Sequence, residues 1–195
     1  MISQDEARFP LVPTRHPTLG VKGQRPVVGT WDNNDLVYSF AALNVGTGQL
    51  TTRLVASPAK ATRQTGVSKT ARPQQAFAAQ LHDLARAYPA SLGKPASLTI
   101  DNAPWHQGAA IVEVLAAHPP LQLYRLPSYS PQRKLIERFW RVLRRRATHN
   151  RLFNSMRELR TALRASFCYF HTMRHKVLSL IHSPRKKKEA KLTGA

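Results

Sequence analysis

Ten carboxylates stand in a chain of 195 residues, few enough to ask of each whether it serves as a catalytic acid. Most have a structural account. Glu158 completes a capping box with Ser155. Asp83 and Glu113 lie on polar helix faces, Asp32 and Asp35 flank a turn, and Glu189 sits in a basic tail. Three stand where chemistry is usually placed. Asp101 follows the apolar run Leu98-Thr99-Ile100, and open α/β sheets put their sites at the carboxyl ends of strands. Asp5 follows the short opening segment Met1–Gln4, and Glu137 stands near the start of a helix. Each also has a plainer reading. Asp101 and Asn102 make an Asx-turn before Pro104, Asp5 is an ordinary residue near a frayed end, and Glu137 pairs with Arg141 one turn on.

Charge points to the partner. Thirty Lys and Arg against ten Asp and Glu leave a formal charge of +20. Such a surplus says nothing of fold but favours a polyanion, nucleic acid first. Eight of these cations fall between Arg133 and Arg151, beside a single Glu. No basic amphipathic anchor stands at either end, no stretch is apolar enough for a transmembrane helix, and the first thirty residues hold no signal core. The single cysteine, Cys168, forms no intrachain disulfide and fits a reducing compartment. No Cys/His cluster suggests zinc. A cytoplasmic, nucleic-acid-facing protein is the class expected.

The elements that position these residues follow from period and punctuation. Arg25–Trp31, Leu36–Val45 and Gln49–Ala56 are rich in Val, Thr, Tyr, Leu and Phe, with hairpin-length breaks between them. They predict an antiparallel meander. Ser57–Arg72 is polar and aperiodic and reads as a mobile loop. After Pro73, Phe77, Leu81, Leu84 and Tyr88 share one helical face. A strand at Ser97–Ile100, a helix at Gly108–Ala117 carrying Ile111, Val112 and Leu115, and a strand at Leu121–Leu126 make a βαβ unit with parallel strands. Loop Pro127–Pro131 leads to a helix at Lys134–Thr148, striped by Ile136, Phe139, Trp140 and Leu143. A last helix from Ser155 buries Met156, Leu159, Leu163, Phe167 and Phe170. The expected fold is an α/β mixed sheet, a three-strand meander followed by βαβ, with helices on both faces.

Five segments in this order resemble one known pattern: Asp5-Glu6-Ala7-Arg8-Phe9, Gly23-Gln24-Arg25-Pro26, Asp101-Asn102-Ala103-Pro104-Trp105-His106, Tyr129-Ser130-Pro131 and Ile136-Glu137-Arg138-Phe139-Trp140. They are similar to the DDE transposases of the mariner superfamily, in its bacterial insertion-sequence-630 branch, over most of the chain. The resemblance implies an RNase H-like fold. Its first Asp ends the first strand, its second ends the fourth, and its Glu lies on a later helix. Asp5, Asp101 and Glu137 take those places.

The resemblance implies a chemistry as well. By that likeness Asp5, Asp101 and Glu137 are the catalytic residues and hold two ions, Mg²⁺ or Mn²⁺, as phosphodiester transfer requires. It also implies that Asn102 and His106 stand beside the site and orient carboxylate or phosphate, or else Asn102 makes the turn and His106 packs under Trp105. Arg138, Arg141, Arg144, Arg145 and Arg146 leave the apolar stripe of their helix and neutralise DNA phosphates, where a plain reading makes them a solvated face. The family's Leu-Asn-Pro-Ile-Glu is here Arg133-Lys134-Leu135-Ile136-Glu137, which removes a helix-entry signal.

Residues 1–148 are expected to form the catalytic domain, 149–182 a C-terminal helix packed on it, and 183–195 a disordered basic tail. Family members carry upstream helix–turn–helix modules, so the chain reads as a catalytic half, a second-frame product or a truncated remnant. The leading expectation is a transposase that cuts and joins DNA, dimeric on transposon ends and target, aided by an upstream-frame helix–turn–helix protein and associated with the nucleoid. A DNA-binding remnant without turnover and a host nuclease of RNase H-like type are the alternatives.

Overall fold

The first strand is longer than the sequence suggests. In a computed structural model, which describes residues 1–24, 26–30, 35–57, 71–127 and 135–182, strand β1 spans Ile2–Pro10 and runs straight through Asp5. The expectation that the strand ends at Asp5 is therefore corrected. Ser3, Gln4, Asp5 and Glu6 interrupt the apolar run, but burial between two neighbouring strands holds them extended. Ile2, Ala7 and Phe9 are buried, and so are the polar Ser3 and Gln4.

The meander is corrected with it. Residues 26–30 form no regular structure, and Val27 is 91% exposed; positions 25 and 31 lie outside the described residues. β1 takes that place, pairing antiparallel with β2 (Leu36–Asn44), which pairs antiparallel with β3 (Leu50–Ser57). On its other side β1 pairs parallel with β4 (Ala96–Ile100), through Ile2 with Leu98 and Ser3 with Thr99. β4 pairs parallel with β5 (Leu121–Arg125), as the βαβ reading expects. The sheet order is β3-β2-β1-β4-β5, so β1 is central.

Helices cover both faces. Helix α1 (Ala71–Ala87) and α2 (Ala109–Ala117) pack on one face, where Phe77, Leu81, Leu84 and Ile111 meet Ile2, Phe40, Leu98 and Ile100. In α2, Val114 is buried while Val112 is 65% exposed, the reverse of the expected stripe at that position. On the other face lie α3 (Ile136–Ala147), α4 (Met156–Thr172) and α5 (Arg174–His182). Their Ile136, Phe139, Leu143, Leu163, Phe170 and Val177 share one core with Ala7, Phe9 and Val37 of the sheet. The expected last helix is thus two, broken at Met173, and both join the core of the sheet.

Local caps agree with the chemistry of their residues. Ser155 Oγ accepts from the Glu158 N–H, and Glu158 reaches back to the Asn154 N–H. The α3 entry differs: Leu135 precedes it and supplies no capping side chain. Of the predicted loops Ser57–Arg72 and Pro127–Pro131, residues 58–70 and 128–131 lie outside the described residues, as does the basic tail 183–195, while Ser57 ends β3 and Ala71 and Arg72 already open α1. Among the described residues, no helix is long and apolar enough to cross a membrane.

Candidate active site

Strand alternation divides the site between two faces of β1. Even positions point to the α1–α2 face: Ile2 joins that core, and Gln4 bonds Gln80 of α1. Odd positions point to the α3 face with Ala7 and Phe9. Asp5 is on that side, and its Oδ2 accepts a hydrogen bond from Trp140 Nε1 of α3 at 3.2 Å. Glu137 lies three residues before Trp140, in the first turn of α3, and is exposed. Residues three apart on a helix are surface neighbours, so α3 carries Glu137 alongside the turn that holds Asp5.

Asp101 follows the parallel ladder. Ser3 is opposite Thr99, the last pair of that ladder, and Asp101 stands two residues beyond Thr99 as Asp5 does beyond Ser3. β4 stops at Ile100 because Asp101 turns the chain, its Oδ1 accepting the Ala103 N–H at 3.0 Å. Asn102 Nδ2 donates to the Leu126 carbonyl, which ties this turn to the end of β5. Both halves of the Asx-turn reading therefore hold, and the turn sets Asp101 at the strand end.

The even face contributes a second grouping. A 3₁₀ turn, Pro104–His106, brings His106 back beneath the sheet, with its ring 4.4 Å from that of Phe77. His106 Nδ1 is 3.1 Å from Asp101 Oδ1, and Nε2 is 2.8 Å from Glu6 Oε1. Glu6 also accepts from Gln4 Nε2 at 2.9 Å. The ligand-type atoms of Glu6, Asp101 and His106 lie within 4.8 Å of one another. Sequence reasoning placed His106 near the site but missed Glu6. The signal was present: two acidic residues in succession on a central strand must serve both of its faces.

Burial pushes the His106 imidazolium down, but its bonds to Asp101 and Glu6 outweigh that, and its pKa rises from 6.5 to about 9. The linkage has a definite sign. A raised folded-state pKa stabilises the fold fully below about pH 6.5, and that contribution is lost as pH rises through about 9. In the metal-free protein, ¹⁵N NMR will place the His106 midpoint near pH 9. A midpoint at or below the ordinary histidine value contradicts the bridge between two carboxylates.

The five arginines of α3 divide into two groups. Arg138 donates to the Ile181 carbonyl, and the Arg146 guanidinium stacks on Tyr169 at 3.7 Å. Arg144 donates to the Arg8 carbonyl and lies 4.9 Å over the Phe9 ring. Burial lowers the Arg144 pKa, and the nearby Asp5 carboxylate opposes that shift. These three hold the helix to the protein. Arg141, Arg145 and, despite its stacking, Arg146 are exposed.

Residues 1–160 match the model of the DDE superfamily endonucleases. No curated protein sequence matches the chain. The pre-cleavage Mos1 transpososome is similar over 92% of this chain and 53% of that one, with a TM-score of 0.60 and 17% identity. The Mos1 transposase paired-end complex with left transposon end is similar over 92% and 52%, with a TM-score of 0.58 and 19% identity. The catalytic domain of Mos1 mariner transposase is similar over 92% and 78%, with a TM-score of 0.56 and 15% identity. At these identities the likeness establishes the fold, which is RNase H-like. The chain spans about half the length of the Mos1 chains in the two DNA complexes.

Proposed function

Because the chain belongs to the DDE superfamily endonucleases, we propose that it is the catalytic domain of an insertion-sequence transposase of the 630-like branch, acting on DNA through Asp5, Asp101 and Glu137. The observation that supports this reading is the parallel pairing of β1 and β4, with Asp5 and Asp101 each two residues beyond its last pair and Asp5 bonded to Trp140 of the helix that carries Glu137.

The donor set fits magnesium or manganese. Mg²⁺ takes hard oxygens in octahedral geometry and keeps several waters and phosphate oxygens, and three carboxylates meet that need. The Glu6, Asp101 and His106 grouping fits less well, since both ring nitrogens already face carboxylate oxygens. The Mos1 paired-end complex is known with Mn and with Mg. When bound, a pair of such ions activates an attacking hydroxyl and stabilises the leaving oxygen. The protein's own part is positional. Trp140 Nε1–H holds the Asp5 carboxylate, the Ala103 N–H and His106 hold Asp101, and α3 carries Glu137 in its first turn.

Arg141 and Arg145 extend the site as phosphate contacts on the transposon ends and target. Residues 1–148 form the catalytic unit with 149–182 packed on it. The protein works as a homodimer on DNA, with end recognition supplied by a helix–turn–helix partner. The test of the reading is strand cleavage of duplex DNA in Mg²⁺ or Mn²⁺. Nicking that requires the divalent ion is expected. Metal-independent nicking, or none in the presence of a helix–turn–helix module, contradicts it. A second reading, DNA binding without turnover, is favoured by the uncapped entry of α3 at Leu135, since a loose first turn misplaces Glu137.

Binding has its own expected result. Replacing both Arg141 and Arg145 with Ala weakens binding about equally for all sequences, because phosphate contacts carry no sequence information. The slope of log affinity against log salt flattens by about 1.8, at about 0.9 per lost contact. An unchanged slope in a salt titration shows that neither arginine meets phosphate.

A further inference from the structure

We infer that Glu6 is a positioning residue for Asp101, acting through His106; the inference rests on the metal-ligand role proposed for Asp101. Asp5 and Glu6 are neighbours on a central strand, so one points toward α3 and the other toward α1. Glu6 therefore cannot join Asp5 on the α3 face. It lies instead against a histidine 100 positions away, at 2.8 Å. That histidine has no exposed side-chain surface, and the Glu6 side chain is 9% exposed.

The contacts form one continuous line. Gln4 Nε2 donates to Gln80 Oε1 of α1 at 3.2 Å and to Glu6 Oε1 at 2.9 Å. Glu6 Oε1 meets His106 Nε2, and His106 Nδ1 meets both the Asp101 carbonyl and its Oδ1 at 3.1 Å. The same Asp101 oxygen accepts the Ala103 N–H. The Ala103 N–H donates to this oxygen and the His106 ring approaches it, which together limit the rotation of that carboxylate. The His106 ring is in turn fixed at its far nitrogen by Glu6 and on its face by Phe77.

A fold alone has little use for this line. A buried carboxylate is costly unless paired, and apolar residues of similar volume would serve packing as well or better. Partners that orient a metal ligand are the setting in which such groups repay their burial, and their loss typically lowers metal affinity 10- to 100-fold. The line also starts on α1, so this helix on the far face of the sheet helps set the geometry of Asp101. His106 is not itself a ligand here. Its ring lies between the two carboxylates, and a cation bound there would have to displace it from both.

The test uses the full chain, labelled with ¹⁵N-histidine, metal-free and then titrated with Mn²⁺ alone. In the metal-free protein, His106 shows protected Nδ1–H and Nε2–H signals, assigned by their loss in His106→Asn. Glu6→Ala removes both and raises the Mn²⁺ dissociation constant about 10-fold or more. Glu6→Gln, which keeps an acceptor for Nε2–H, retains the signals and stays within about threefold, the mildness expected when the bonded geometry survives. In the His106→Asn background, Glu6→Ala has no further effect, because residues in one network are not additive. Should Glu6→Ala fail to fold, Glu6→Met carries the same expectation.

Several results would overturn the inference: an Nδ1–H signal that persists in Glu6→Ala, effects of Glu6→Ala and His106→Asn that multiply, or a ¹⁵N coupling in the electron spin echo spectrum of the Mn²⁺-loaded protein that is lost in His106→Asn. Failure of the wild-type chain to bind Mn²⁺ sinks the proposed function instead. The histidine signals then decide the Glu6 linkage by themselves.

Discussion

Asp101→Asn will lower divalent-metal-dependent DNA cleavage by at least about 10³-fold, and Asp5→Asn will do the same. A fall of that size corresponds to about 4 kcal/mol of transition-state stabilisation, the scale expected when an anionic ligand is lost from a site built to hold cations around a phosphate. Both substitutions leave the surroundings intact. An amide oxygen at position 101 still accepts from the Ala103 N–H, and one at position 5 still accepts from Trp140 Nε1. The loss is therefore one of charge, not of fold. Single-turnover nicking with circular dichroism controls checks it. Activity within about tenfold of wild type would show that these carboxylates do not carry the chemistry; each decade is about 1.36 kcal/mol.

The second large effect is on stability. Phe139→Ala will lower the unfolding free energy by about 3–5 kcal/mol, a sizeable part of the roughly 5–15 kcal/mol typical of a domain. Phe139 is fully buried in α3, with ring centroids 5.2 Å from Phe170, 5.6 Å from Trp140 and 6.1 Å from Phe167. No shift of the backbone fills that void cheaply, because α4 and the sheet both press on it. The consequence reaches the site. Phe139 stands next to Trp140, which holds Asp5, and two residues after Glu137. Urea denaturation checks the prediction; a loss under about 1 kcal/mol contradicts the packing, since large core truncations cost more than that.

Regular period made much of this legible in advance. Ile136, Phe139, Trp140 and Leu143 are buried as their spacing predicts. The run Leu98–Ile100 announces β4 and puts Asp101 at its end. β1 was harder, because Ser3, Gln4, Asp5 and Glu6 carry no apolar alternation. Their extended form comes from pairing with β2 and β4, which no local pattern records. The opposite error occurred at residues 26–30. Val27 and Val28 have strand propensity, but no neighbouring strand accepts them, and propensity without a partner forms no strand.

The site shows the same division. Asp5, Asp101 and Glu137 stood out through ordered motifs; Asp5 lies within β1 rather than at its end, Asp101 directly after β4 and Glu137 in the first turn of α3. Glu6 was not found, since its partner His106 is remote in sequence and meets it only through a turn beneath the sheet. The arginines of α3 looked alike in sequence. Only tertiary contacts separate Arg138, Arg144 and Arg146, which meet carbonyls and rings, from Arg141 and Arg145; Arg146 is exposed as these two are but stacks on Tyr169.

The proposed function requires Asp5, Asp101 and Glu137 to form one cation site on the α3 face of β1. Anomalous diffraction from crystals soaked in Mn²⁺ decides it. The expected result is an anomalous peak about 2.0–2.2 Å from carboxylate oxygens of both Asp5 and Asp101, as hard-cation coordination requires, on the side of the sheet where Glu137 stands. A peak between Glu6 and His106, or density on Asp101 with Asp5 turned away from it, would show that the three carboxylates do not form that site.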